Sequence, residues 1–196
     1  MNFDVLSALI IFAFVSSITP GPNNLMLMNS GANFGFKKTM PHLLGVGIGF
    51  TLMIALVGLG VIKLFDAFPL SYEILKVLSI IYLLYLAFKI ASSTGNFEQK
   101  SSSAKPFSFI QAVLFQWVNP KAWTMALTSI SIYAPTKSLS AVLLVAIVFG
   151  IVNLPCISAW IVLGQKIQIL LTDQKRLRAF NISMATLLIL SLYPAL

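Results

Sequence analysis

Two short stretches rich in proline and asparagine interrupt otherwise apolar sequence, and their residue types are suited to binding a small ligand. Residues 19–24 read TPGPNN, and residues 119–121 read NPK. Proline lacks a backbone N–H and clashes with the preceding turn, so each stretch predicts a break in a helix. A break frees carbonyl groups before it and amide groups after it, and these groups can bind a ligand.

The freed groups predict a site for a zwitterion such as an amino acid. The helix that begins after each break points its positive dipole end and its unpaired amides at the site, where they bind a carboxylate. The carbonyl groups before each break accept hydrogen bonds from an ammonium group. The residues that we expect to bind substrate are Pro20, Gly21, Pro22, Asn23, Asn24, Asn119, Pro120, Lys121, Thr124 and Asn153.

Some of these residues also have a purely structural interpretation. The asparagines of the two breaks are good helix caps, and capping and ligand binding can coexist. Lys121 either acts at the site, as an ionisable residue inside an apolar segment does by default, or extends to the membrane interface beside Trp117 and Trp123. Thr124 begins a polar stripe that lines the pathway or bonds across helices, and Asn153 adjoins a proline kink.

The composition indicates that the breaks lie in a membrane protein. Of the 196 residues, 58% are hydrophobic and 9% are charged, and the mean hydropathy is +0.93. An ordinary soluble domain has roughly 25% charged residues, so this composition excludes a soluble globular protein and a disordered one. The net charge of +8 is spread between apolar runs rather than gathered in basic tracts, which argues against a nucleic-acid partner.

Six apolar segments are near the length of about 20 residues that a helix needs to cross a bilayer. A serine-rich linker at about 91–106 separates three segments from three, and each break falls in the first segment of its group. We therefore expect an all-α polytopic membrane protein with six transmembrane helices, arranged as a 3+3 inverted repeat in which helices one and four are broken. The segments lie at about 5–28, 43–62, 72–90, 107–133, 139–162 and 180–196.

The repeat halves, about 1–95 and 105–196, are expected to form one membrane transport domain over residues 1–196. The cationic residues predict its orientation. With the N-terminus outside, nine of them lie in inside connections and three lie outside, so both termini are predicted to be outside. The inside residues are Lys37, Lys38, Lys89, Lys100, Lys105, Lys166, Lys175, Arg176 and Arg178, and the outside residues are Lys63, Lys76 and Lys137.

The two motifs resemble those of the LysE/RhtB family of bacterial amino-acid exporters. TPGPNN in the first segment and NPKA in the fourth carry the resemblance, which spans essentially the whole chain. The resemblance implies a carrier of the bacterial cytoplasmic (inner) membrane that expels surplus amino acids or their derivatives, driven by the proton gradient. It also implies that residues 20–24 and 119–121 belong to the site.

The positions of the acidic residues favour a neutral substrate. Exporters of basic amino acids in this family tend to carry an acidic residue after a glycine-rich run in the second helix, where this chain has Phe50. A cationic substrate would lack a countercharge here, and the pattern resembles members that export cysteine, O-acetylserine, homoserine or threonine. His42 and Asp4 remain as candidates for a proton carrier. The acidic residues, all at segment ends or in connections, are Asp4, Asp66, Glu73, Glu98 and Asp173.

The leading hypothesis is thus a proton-coupled exporter of neutral amino acids with alternating access around the two breaks. A passive small-solute channel and an exporter of a non-amino-acid metabolite are the alternatives. A thiol–disulfide relay needs two cysteines, and only Cys156 is present. A hydrolase needs a catalytic motif paired with His42, which the sequence lacks, so we expect no enzyme.

No cofactor or metal is expected. The expected partners are the amino acid and the lipid bilayer, and homo-oligomer formation is left open.

Overall fold

The computed structural model describes residues 3–68, 70–92, 106–136, 138–171 and 173–191, and the regular elements of these residues are helical. Two further short elements lie between helices, a π-helical turn at Val57–Val61 and a 3-10 turn at Gln116–Val118. The helices are α1 (Phe3–Ile18), α2 (Pro22–Leu56), α3 (Ile62–Ala67), α4 (Leu70–Ala91), α5 (Phe109–Phe115), α6 (Pro120–Tyr133), α7 (Leu139–Gln168) and α8 (Gln174–Leu190).

Both predicted helix breaks are present. The first separates α1 from α2, and Pro22 occupies the first turn of α2, where its missing N–H leaves no intrahelical bond unmade. The second separates α5 from α6 and is followed by Pro120 in the same position. Asn119 between them has extended backbone angles of −96° and 107°. The prolines therefore set the first residue of each half-helix.

The connection that we expected between the first two apolar segments, about 29–42, is wrong, because those residues are helical. The chain changes direction at a single residue, Gly35, whose φ of 77° and ψ of 171° interrupt α2. A side chain disfavours this backbone conformation, so glycine makes so short a turn feasible. Residues 22–34, before the turn, are the first arm of α2, and residues 36–56 are its second arm.

Glycines also allow α2 and α7 to cross closely in the centre of the fold. Gly31 of α2 lies against the backbone of Ile161, and Gly164 of α7 lies against the backbone of Met28. A Cβ atom at either glycine would overlap the opposite helix, so these residues permit backbone contact of the kind found between membrane helices. The crossing fixes the first arm of α2 beside α7.

The outer surface of the helices is apolar, as expected for contact with lipid. Large side chains such as Ile11, Ile81 and Ile151 are between 58% and 68% exposed, which is far more apolar surface than a soluble protein presents. Among the residues that the structure describes, three stretches are long and apolar enough to cross a membrane, and two apolar helices are shorter. The three are Pro22–Val61, Glu73–Ala91 and Leu139–Gln168, and the shorter ones are Phe3–Ile18 and Phe109–Val118.

Some sequence-based expectations fall outside the described residues. Most of the linker at about 91–106, the lysines at 100, 105 and 137, and the last five residues of the sixth apolar segment belong to this group. Helix α8 begins at Gln174, earlier than the expected start of that segment at about 180.

Candidate functional site

The two helix breaks, about 100 residues apart in sequence, contact each other through Lys121. Its ammonium nitrogen lies 2.7 Å from the carbonyl oxygen of Thr19, 2.9 Å from the Thr19 hydroxyl and 3.2 Å from the carbonyl oxygen of Pro20. An ammonium group has three N–H donors, so each can have an acceptor at the first break. Lys121 therefore lies between the two breaks, and its role at a substrate site stays a prediction.

A pair of side-chain amides forms a second link between the breaks. Asn23 Nδ2 donates to Gln116 Oε1 at 2.8 Å, and Gln116 Nε2 donates back to Asn23 Oδ1 at 3.2 Å. Gln116 is fully buried and also donates to the carbonyl of Ala112 in the preceding turn. The pair ties the start of α2 to the end of α5.

The protein's own donors occupy the carbonyl groups freed at the end of α1. Asn24 Nδ2 donates to the carbonyls of Ser17 and Thr19, at 2.8 Å in each case. The indole nitrogen of Trp160 on α7 donates to the carbonyl of Ile18 at 3.1 Å. The sequence led us to expect a substrate ammonium group at these carbonyls, whereas in the structure they bond to Asn24, Trp160 and Lys121.

The amide groups freed at the start of α2 are, by contrast, open. Gly21 precedes the helix in an extended conformation, with φ of −174° and ψ of 175°, and no side chain caps it. The N–H of Leu25 bonds to the Gly21 carbonyl at 2.9 Å. Within the described chain, the backbone N–H groups of Asn23 and Asn24 have no hydrogen-bond partner. This end of α2 therefore offers two free amide donors to a ligand.

The start of α6 differs, because its own residue caps it. Asn119 Oδ1 accepts a hydrogen bond from the backbone N–H of Lys121 at 3.2 Å. Asn119 therefore caps α6, as its structural interpretation predicts. Asn24 likewise caps the end of α1. The two breaks are similar in sequence but unequal in what they leave unpaired.

A small cavity lies between the breaks, and unpaired polar groups converge on it. Its volume of about 30 Å³ is room for about two water molecules. The Ser17 hydroxyl is buried there without a hydrogen-bond partner among the described residues, and the Asn153 side chain is likewise unbonded to the described chain. The lining residues are Ser16, Ser17, Gly21, Asn23, Asn24, Phe50, Asn119, Lys121, Ala122, Met125, Asn153 and Ile157.

Six of the ten residues expected at the site line this cavity, and four do not. Pro20, Pro22 and Pro120 shape the backbone at the breaks instead. Thr124 is exposed, and its hydroxyl donates to the carbonyl of Pro120 at 3.1 Å. The six are Gly21, Asn23, Asn24, Asn119, Lys121 and Asn153.

The cavity has an electropositive lining. Lys121 is the one ionisable side chain among the residues that line it. The carboxylates of the described residues, Asp4, Asp66, Glu73 and Asp173, are exposed at helix ends. The ammonium group and the free amides of α2 are groups of the kind that attract a negative charge.

The comparisons with known proteins give the family. A family model described as LysE type translocator matches residues 14–191. The chain belongs to this LysE family. It is therefore a membrane transporter and not an enzyme.

Similar proteins carry a common name. The cysteine/O-acetylserine efflux protein of Escherichia coli O139:H28 (strain E24377A / ETEC) is 29% identical over 191 residues, which cover 96% of each chain. The proteins of that name from Escherichia coli (strain K12) and Shigella flexneri are each 28% identical, with 96% and 94% of each chain covered. No solved structure is significantly similar to this LysE-family chain.

Sequence reasoning missed several residues of this translocator's candidate site. Ser16 and Ser17 directly precede the first break and Gln116 directly precedes the second, so their positions gave a local signal. Phe50, on the second arm of α2, was noted through the family resemblance but was not expected at the site. Trp160 gave no signal, because it reaches the first break from α7 through the packing of the fold.

Proposed function

We propose that this translocator exports a neutral amino acid or an amino-acid derivative across the bacterial cytoplasmic membrane. The observation that carries the proposal is the uncapped start of α2, which has two free amides and whose preceding residue, Gly21, lies against the side chain of Lys121. The names of the relatives, cysteine/O-acetylserine efflux proteins, support the same class of substrate.

The substrate carboxylate binds at the start of α2 in this proposal. The N–H groups of Asn23 and Asn24 donate to its oxygens, and the helix dipole adds about 0.3–1 kcal/mol, or up to about 2 in a partly buried position. Lys121 supplies charge rather than a directed hydrogen bond, because its three N–H groups already have acceptors at the first break.

The remaining polar groups of the cavity suit the other end of a zwitterion. The Ser17 hydroxyl and the Asn153 amide oxygen can accept hydrogen bonds from an ammonium group. Neither carries a charge, and no carboxylate of the described residues lines the cavity, so a second positive charge on the substrate would have no partner there. A neutral side chain fits this lining, with Phe50, Met125 and Ile157 as its apolar wall.

Transport requires the cavity to change shape, since about 30 Å³ holds about two waters but no amino acid. We infer that the helices form six spans in a 3+3 inverted repeat, a single transport domain with both termini outside. Alternating access then separates and rejoins the two breaks, which Lys121 and the Asn23–Gln116 pair hold together in the closed arrangement. Export is coupled to the proton gradient in this proposal.

Efflux from preloaded bacterial cells tests the proposed function. Cells that overproduce the chain are loaded with cysteine, O-acetylserine, threonine, homoserine or lysine, and loss of each compound is followed with and without a protonophore. We expect faster loss of a neutral compound, slowed by the protonophore, and no faster loss of lysine. Thr186→Ala is the matched control, because the Thr186 hydroxyl is exposed and bonds only within its own helix.

A passive small-solute channel is the second candidate, since the relatives' names do not test coupling. An exchange assay distinguishes the proposed carrier from a channel. A carrier loaded with labelled substrate accelerates its loss when unlabelled substrate is added outside, and it saturates; a channel does neither. Equal loss of all five compounds at any protonophore concentration would exclude the proposed exporter.

A further inference from the structure

A second buried polar site lies on α2, away from the cavity, at His42. The side chain is 1% exposed. Its Nδ1 lies 3.2 Å from the hydroxyl of Ser30, and its ring stacks on Phe107 with the ring centroids 5.3 Å apart. Its Nε2 has no hydrogen-bond partner among the described residues. One nitrogen of the imidazole is thus held in place while the other is left free.

The Ser30–His42 contact bridges the turn at Gly35. Ser30 belongs to the first arm of α2 and His42 to the second, so the hydrogen bond joins the two arms across the turn. Ser30 lies seven residues after Asn23 on the same arm, which places it about 10 Å along the helix from the free amides. A movement of the first arm therefore affects both the amides and the contact with His42.

No carboxylate of the described residues lies against the imidazole, and the charged groups of the surrounding helices are exposed. Helix α5 carries no charged residue. Those on the other helices that pack near His42 and Phe107 are Lys37 and Lys38 on α2, Glu73, Lys76 and Lys89 on α4, Lys166 on α7, and Lys175, Arg176 and Arg178 on α8.

We propose that His42 is the proton-binding site of this transporter and that the first arm of α2 links it to the substrate cavity. A proton on the free nitrogen places a charge in an apolar pocket. That charge favours an arrangement in which water or another acceptor reaches the ring. Such an arrangement requires the two arms of α2 to separate at Gly35, and that movement displaces the free amides of Asn23 and Asn24.

The inference rests on the proposed export of an amino acid, and two assays separate the two claims. Purified full-length protein in proteoliposomes is given labelled L-cysteine in reducing buffer. Exchange with equal L-cysteine on both sides reports on the carrier alone. Transport of L-cysteine that is accelerated by an imposed pH gradient reports on proton coupling. Wild type is expected to perform both.

His42→Gln keeps a side chain that can bond to Ser30 but removes the group that binds a proton. We expect exchange within about twofold of wild type, as for substitutions that leave the fold intact, and no acceleration by the pH gradient. Acceleration equal to that of wild type would overturn the proposal. The proposal would also be overturned if the wild-type protein exchanged L-cysteine but its transport did not respond to the pH gradient. This second result would leave the exporter proposal intact.

His42→Gln could lose exchange together with coupling, and a second variant then tests the proposal. Ser30→Ala serves for this, because it retains the imidazole. The proposal expects Ser30→Ala to exchange L-cysteine and to shift the pH at which gradient-driven transport is half-maximal. An unchanged pH profile would overturn the proposal.

His42 is the only histidine in the sequence, so a tag-free protein with labelled histidine gives one imidazole NMR signal. This signal must titrate if His42 binds the proton, even if L-cysteine proves not to be a substrate. A signal that is constant from about pH 5 to 9, around the usual histidine range, would overturn the assignment.

Discussion

Asn23 and Gln116 are 93 residues apart in sequence and exchange two side-chain hydrogen bonds, of 2.8 and 3.2 Å. One residue begins the half-helix after the first break, and the other lies just before the second break. The pair explains how two separated interruptions of the chain form one polar cavity. It also keeps the start of α2, with its free amides, directed at that cavity.

Gln116→Leu should lower export by about tenfold or more, because it leaves the amide of Asn23 part-buried without its partner, at a cost of about 1–3 kcal/mol. The double variant Asn23→Ala/Gln116→Leu should lose little beyond the single variants if the two residues act as a pair. Efflux rates corrected for the amount of protein in the membrane measure this. Losses that multiply would mean that the two side chains act independently.

Lys121→Met should abolish export while the protein still reaches the membrane. The substitution keeps the length of the side chain but removes the ammonium group from the carbonyls of Thr19 and Pro20. Lys121→Arg keeps the charge in a different shape and should retain part of the activity. Efflux and membrane abundance are measured together, and wild-type export by Lys121→Met would remove this residue from the site.

Gly21→Ala should weaken export by displacing Lys121 rather than by straining the backbone. The φ of −174° at Gly21 suits any residue, but an added Cβ would lie 2.6 Å from Cδ of Lys121. The lysine must therefore move. Unfolding temperatures test this cause, because they do not depend on residual export. In a Lys121→Ala background, which lacks Cδ, Gly21→Ala should lower the unfolding temperature little further, and a large further drop would show that the glycine has another role.

Trp160→Phe should lower both thermal stability and export, because it removes the donor to the Ile18 carbonyl and keeps most of the ring. An unpaired carbonyl costs up to about 1–3 kcal/mol when buried, and less at the part-buried Ile18. Trp117→Phe is the matched control, since the indole N–H of Trp117 has no partner in the described part of the chain. Unfolding temperatures of the two purified variants that shift equally would contradict the assignment.

The breaks could be predicted from sequence because proline acts locally. Pro22 and Pro120 determine where α2 and α6 begin, whatever surrounds them. Gly35 shows the limit of such reasoning. One glycine sufficed for the turn between the arms of α2, where the polar sequence around it suggested a longer connection.

The contacts that distinguish the two breaks were beyond local reasoning. TPGPNN and NPK both predict a helix start that can bind an anion, yet Asn119 caps the second start while the first remains open. The direction of Lys121 and the reach of Trp160 depend on residues 102 and 142 positions away. Such pairings follow from tertiary packing, which the sequence pattern does not specify.

The central claim is that the start of α2 binds the carboxylate of a neutral amino acid. Competition in proteoliposomes tests it most directly, with labelled L-cysteine exchange challenged by unlabelled L-cysteine, its methyl ester, or cysteamine, which lacks the carboxylate altogether. The account predicts that L-cysteine competes and that the other two do not, at concentrations about tenfold higher, equivalent to about 1.4 kcal/mol. Equal competition by all three compounds would contradict it.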